Sequence, residues 1–151
     1  MRSATTFISI GMISGIILAL FLKIIELTTG NIVYHLLFDV SYIPILNTWK
    51  PVWLIEVLFH FGTCIVSITM LYYVLTLFHL EKSMPVYIIV IGVGSSILYF
   101  LTELSNKTPS VTDIGAWIYW VIGHLLFSLT ACALIKVWLP NHLEKEKSNI
   151  S

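Results

Sequence analysis

The stretch IGAWIYWVIGHLLFSLTACALIKVWL, Ile114 to Leu139, decides the fold. A hydrocarbon core about 30 Å thick needs about 20 apolar residues to cross it as a helix, so this segment spans a membrane and puts His124 near the midplane. An ionisable side chain at that depth is costly and usually faces a bundle interior or a wet cavity, which marks His124 as a candidate functional residue. A neutral imidazole donating one hydrogen bond to a neighbouring helix would instead be packing glue, and the residue type alone leaves both roles open.

Composition extends this reading to the whole chain. With 58% hydrophobic and 11% charged residues over 151 positions, the sequence describes one integral membrane domain with no room for a soluble one. Eight basic residues balance eight acidic ones, so no basic surface points to nucleic acid or to anionic lipid headgroups. Cys64 and Cys132 lie inside apolar segments. Helix rise separates them by about 12 Å in depth, too far for a disulfide.

Working outward, the sequence predicts an all-α, four-transmembrane-helix bundle with spans over 6–27, 52–78, 86–104 and 112–139 and a polar cytoplasmic tail over 140–151. The first run is longer than a signal-peptide core and lacks a small-residue cleavage site, so it is expected to be retained. Gly11 and Gly15 have the small-xxx-small spacing that lets helices approach closely, and Gly92, Ser96 and Gly123 serve the same purpose in later spans. Lys23 and Glu26, three residues apart, form a charge pair at the end of the first span. Between Gly30 and Pro51, Ile32, Val33, Leu36, Leu37 and Val40 recur at helical spacing over a length too short to span, which predicts an interfacial or re-entrant helix in the first extracytoplasmic connection. Trp49 and Trp53 bracket Lys50 and Pro51 as an interfacial aromatic pair. Asn106-Lys107-Thr108 matches a glycosylation acceptor, a triplet that matters only in a secretory pathway.

The polar residues within the spans are few and patterned. Glu56, His60, Thr63 and Ser67 follow at steps of four, three and four, on one face of the second span. Glu26, Glu56, Glu103 and Asp113 all fall at the membrane face that bears the longer connections. Helix rise places His60 about 12 Å and His124 about 18 Å inward from that face. Acids over imidazoles make a polar funnel ending about halfway across. Arg2, Lys82, Lys136, Lys145 and Lys147 lie on the side of the termini, against Lys23, Lys50 and Lys107 on the other, which places both termini in the cytoplasm.

Gly11-x3-Gly15-x7-Lys23-x2-Glu26, the histidine-led second span at His60, and Gly123-His124 after a proline-bearing loop together resemble the YagU-like family of small bacterial inner-membrane proteins. The resemblance covers all four spans and implies a bacterial inner-membrane location and a four-span fold, without implying a reaction. It singles out Gly11, Gly15, Lys23, Glu26, His60, Gly123 and His124. The chain departs from that pattern in the first connection, where Leu27-Thr28-Thr29-Gly30-Asn31 replaces a proline- and arginine-rich stretch.

Three functions fit these residues. One is a proton- or ion-linked protein, acting in a pH or acid response, in which Glu56, Glu103 and Asp113 gather a proton or small cation and His60 and His124 titrate. Four spans are few for such a pathway, so a homo-oligomer in contact through Gly11 and Gly15, or Gly92 and Ser96, is expected with it. The second is a structural or accessory subunit whose polar groups only fix helix packing. The third, a haem protein ligated by His60 and His124, fits worst because the two differ in depth by about 6 Å. No nucleophile motif, phosphate loop or metal-ligand repeat is present, so no enzyme activity, cofactor or metal is expected.

Overall fold

The computed structural model describes residues 2–40, 53–104 and 109–139, with side chains from residue 4 onward. Every regular element among them is helical: α1 (Arg2–Thr29), a 3₁₀ segment (Ile32–Leu37), α2 (Trp53–Thr76), α3 (Met84–Tyr99) running into a 3₁₀ turn (Phe100–Leu104), and α4 (Ile114–Trp138). Four helices, Ala4–Thr29, Trp53–Thr76, Met84–Leu104 and Ile114–Trp138, are long and apolar enough to cross a membrane. The expectations for Trp49, Lys50, Pro51, the Asn106 triplet and the 140–151 tail lie outside the described residues.

Local chemistry sets the helix ends. Gly30 closes α1 at a positive φ of 74°, its N–H bonding back to the Glu26 carbonyl at 2.9 Å. That is the left-handed cap glycine adopts most easily. At the end of α2 the same turn is made by His79 at φ 56°. Leu80 N–H reaches the Leu75 carbonyl at 2.9 Å and His79 N–H the Thr76 carbonyl at 3.2 Å, which together form a Schellman motif. Because a side chain there costs backbone energy, His79→Gly is expected to raise stability by up to about 1 kcal/mol in a thermal unfolding series. Pro85 opens α3 within its first turn, where a missing N–H costs nothing, and Asp113 caps α4.

The connection after α1 carries most of the apolar spacing noted there on a short 3₁₀ segment, Ile32–Leu37. Asn31 Oδ1 accepts from Val33 N–H at 3.0 Å and starts a single 3₁₀ segment. Val33, Leu36 and Leu37 are buried while Ile32 is exposed. The apolar spacing is therefore used to plug the bundle.

Packing is unequal around the bundle. α1 lies against both α2 and α4, and α3 lies against α4, with no comparable α2–α3 interface among the described residues. Gly11 sits so close to α2 that an added Cβ would fall 2.6 Å from Ile65 Cα, and a Cβ on Gly15 would meet Cys64 Sγ at 3.0 Å. A Cβ on Gly123 would press Leu18 Cδ1 at 2.8 Å, and one on Gly92 would meet Leu125 Cδ2 at 3.1 Å. Ser96 Oγ accepts from Trp117 Nε1 at 3.2 Å. These small residues all face neighbours in the same chain, so the Gly11/Gly15 and Gly92/Ser96 faces expected to meet a second copy are occupied internally. Large apolar side chains such as Leu20, Leu58, Met70, Ile89 and Ile97 point outward, the arrangement of a protein solvated by lipid.

Candidate functional site

The missing α2–α3 interface leaves a cavity of about 340 Å³. Its walls are Phe59, His60, Thr63, Cys64, Ser67 and Leu71 of α2 and Val90, Ile91, Gly94, Ser95 and Leu98 of α3. Trp120, His124 and Phe127 of α4, with Leu18 of α1, form the floor, and Leu36 and Leu37 of the 3₁₀ segment close one end with Leu101. Thr63, Ser67, Val90 and Leu98 are exposed, so the open side lies between α2 and α3.

Each histidine is held by aromatic rings. His60 stands between Phe38 and Phe61, with centroids 5.2 and 5.0 Å away, and its Nε2 is 3.8 Å from Cys64 Sγ. The His60 ring is also turned toward the Gly15 carbonyl of α1. His124 lies 4.3 Å from the Trp120 ring, with Phe127 at 6.4 Å on its other flank. Its Nδ1 is 2.9 Å from the Trp120 carbonyl oxygen. A carbonyl only accepts, so this contact puts the proton of a neutral His124 on Nδ1 and leaves Nε2 as a bare acceptor.

The remaining polar groups of the cavity spend their donors on backbone. Thr63 Oγ1 donates to the His60 carbonyl at 2.7 Å, Ser95 Oγ to the Gly92 carbonyl at 3.0 Å, and Trp120 Nε1 to the Ser95 carbonyl at 2.8 Å. The hydroxyls keep lone pairs only, whereas Ser67 at the exposed edge retains both roles. The two cysteines are free thiols.

Of the five expected pathway residues, His60 and His124 line this cavity and the three acids do not. Glu56 is half-buried one turn above His60, and Glu103 is exposed on the 3₁₀ turn. Asp113 is a fastening: Oδ1 accepts from Ala116 N–H at 2.9 Å and Oδ2 from Asn31 Nδ2 at 3.2 Å. The Tyr99 hydroxyl lies 3.0 Å from the Ser110 carbonyl and 3.1 Å from that of Asp113, tying α3 to the same corner. Glu81, in the turn between α2 and α3, was not singled out by sequence. It is buried, and its Oε2 has no hydrogen-bond partner among the described residues. Among those residues no cluster of three or more histidine, cysteine or carboxylate side chains could hold a metal.

Lys23 and Glu26 do meet, Nζ to Oε2 at 2.6 Å, and gain two partners that the sequence did not single out. His35 Nε2 lies 3.0 Å from Glu26 Oε1, and Lys23 Nζ sits 4.8 Å from the centre of the Tyr34 ring. The cluster latches the 3₁₀ segment to α1. Lys23 is 43% exposed and His35 57%, so the stake is well below that of a buried ion pair. Glu26→Ala should cost about 1 kcal/mol or less, and the Lys23→Ala, Glu26→Ala double variant no more than that. Thermal unfolding in detergent checks it, and an additive, less stable double variant would contradict the pairing.

Comparison with known proteins adds nothing to this geometry: no protein-family model matches the chain, and neither a curated protein nor a solved structure does.

Proposed function

We propose that this chain is a multi-pass protein of the bacterial inner membrane, with both termini cytoplasmic, that binds a ligand in the His60/His124 cavity and is switched by protonation there. One observation carries the reading: histidines from α2 and α4 line a single cavity within the spans. Among the described residues, the titratable groups lining it are His60 and Cys64 on α2 and His124 on α4; α1, α3 and the two 3₁₀ elements contribute none. An ion in that space would meet no counter-charge from these walls, which is costly at span depth. A protonated imidazole bears the same cost, so the switch requires water in the cavity; with no carboxylate among these walls, the imidazoles are the groups that can take up the proton. The YagU-like resemblance supports the location and leaves the ligand open.

Nitrogen-15 NMR of histidine-labelled protein in nanodiscs tests the switch. The expected result is a His124 that starts with its proton on Nδ1, gains a second proton as the pH is lowered, and loses that response in His124→Gln at unchanged protein abundance. A His124 that stays neutral to strongly acidic pH overturns it. A second reading, an accessory subunit with packing histidines, is favoured by the bond from His124 to the Trp120 carbonyl. On that reading His124→Gln lowers abundance instead.

Orientation has its own check. Ser110 and His79 are exposed in the connections on opposite sides of the four-span arrangement. Ser110→Cys should label with an impermeant maleimide on intact cells, and His79→Cys only after permeabilisation; the reverse pattern inverts the topology.

A further inference from the structure

The cavity is strongly biased in what it can offer a ligand. His124 Nε2 is an acceptor because Nδ1 carries the proton. Thr63 and Ser95 are acceptors because their own hydroxyl protons point to backbone carbonyls. The Trp120 Nε1–H is spent on the Ser95 carbonyl, as the His124 Nδ1–H is on that of Trp120. Ser67, at the exposed edge, is among the described residues the one lining hydroxyl with its proton uncommitted; deeper in, beside His124, an ester, ketone or carboxylate would set acceptor against acceptor, and a buried acceptor left unpaired is penalised.

The walls supply the rest of the specification. Leu18, Leu71, Val90, Leu98 and Phe127 are apolar, no carboxylate among the described residues lines the space, and the open side lies between two helices long and apolar enough to cross a membrane. A cation would satisfy the lone pairs but bring an unpaired charge into low dielectric. About 340 Å³ is at the small end of ligand cavities, enough for a ring or a short branched head, with any tail leaving through the gap into lipid.

The geometry points to a neutral, apolar molecule bearing a hydroxyl donor, a phenol or an alcohol of lipid-soluble character, that enters sideways between α2 and α3 and donates to His124 Nε2. This rests on the reading of the cavity as a binding site and adds the chemistry of what binds. It also fixes the sign of the proton switch. Protonated His124 presents N–H in place of its lone pair, so occupancy falls as the pH is lowered through its titration.

A matched pair of probes tests it on the full chain in nanodiscs: para-hexylphenol, which donates, and para-hexylanisole, its methyl ether, which cannot. Saturable binding above that of empty nanodiscs is measured together with the nitrogen-15 shift of His124. The expected result is binding of the phenol with a shift at His124 Nε2, and roughly tenfold or weaker binding of the ether. His124→Phe, which keeps a ring and removes the acceptor, should bring the two probes to parity, and Leu98→Trp, at an exposed wall position, should exclude both. Equal binding of both probes to the unaltered chain, blocked by Leu98→Trp, overturns the hydroxyl-donor assignment and leaves the binding cavity standing. Absence of saturable binding by either probe, or binding that Leu98→Trp does not change, overturns the cavity reading and this inference with it.

Discussion

Gly11→Leu is expected to stop the protein accumulating, because the added side chain would have to occupy the space of α2's backbone. An added Cβ alone would fall 2.6 Å from Ile65 Cα and 2.9 Å from Ile65 N. Backbone atoms cannot rotate out of the way as a side-chain end can, so α1 and α2 must separate. Forcing even one methyl into a packed interior costs about 1–3 kcal/mol. Gly11→Ala should therefore lower the thermal midpoint measurably, and leucine should go beyond what a small four-helix protein tolerates. Other glycines of the same chain are the controls. A Cβ added at Gly62 or Gly94 would meet nothing within 4 Å, so alanine there should be neutral or gain up to about 1 kcal/mol from helix propensity. Gly123→Ala should fall between, since the atom it meets at 2.8 Å is the movable end of Leu18. Equal tolerance at Gly11 and Gly62, by abundance and thermal unfolding, would mean that α1 and α2 do not pack as described.

The contrast shows which parts of the fold were legible. Long apolar runs give the spans, because length and hydropathy act within one segment. Small residues four apart mark close contacts for the same local reason, yet the sequence of Gly11 and Gly15 does not say whether the partner is α2 or a second copy. The gap between α2 and α3 was invisible, since it is the lack, among the described residues, of an extensive interface between two helices that are consecutive and joined by a short turn. His60 and His124 could be paired from depth alone. Glu56 could not be excluded that way: a four-residue step keeps it on the His60 face but moves it about 6 Å along the axis and roughly 40° around it. That displacement takes it off the cavity lining. His35 escaped notice because an exposed histidine in a connection carries no periodicity, and only folding brings it to Glu26. Asp113 did carry a signal, an acid immediately before a helical run, which is a helix start as readily as a proton site.

Asp113 is where the two roles can be told apart by substitution. As a cap it holds the first turn of α4 through Ala116 N–H and the 3₁₀ connection through Asn31 Nδ2. Asp113→Ala removes both, with an expected loss of about 1–2 kcal/mol for the cap and a further share for the half-buried Asn31 amide. Asp113→Asn keeps an oxygen for Ala116 but presents an NH₂ group to Asn31 Nδ2, donor against donor. Asn31 cannot turn its amide over to relieve this without losing the bond its Oδ1 accepts from Val33 N–H, at 3.0 Å. The asparagine variant should therefore lose roughly the Asn31 share alone, and Asn31→Ala should abolish the difference between aspartate and asparagine at position 113. If Asp113 instead delivered protons to the cavity, Asp113→Asn would leave unfolding untouched and remove the pH response of His124. Thermal unfolding with the His124 nitrogen-15 titration, run on the same three variants, separates these outcomes. The expected pattern is lowered stability in the order alanine, asparagine, aspartate, with the His124 titration in place throughout.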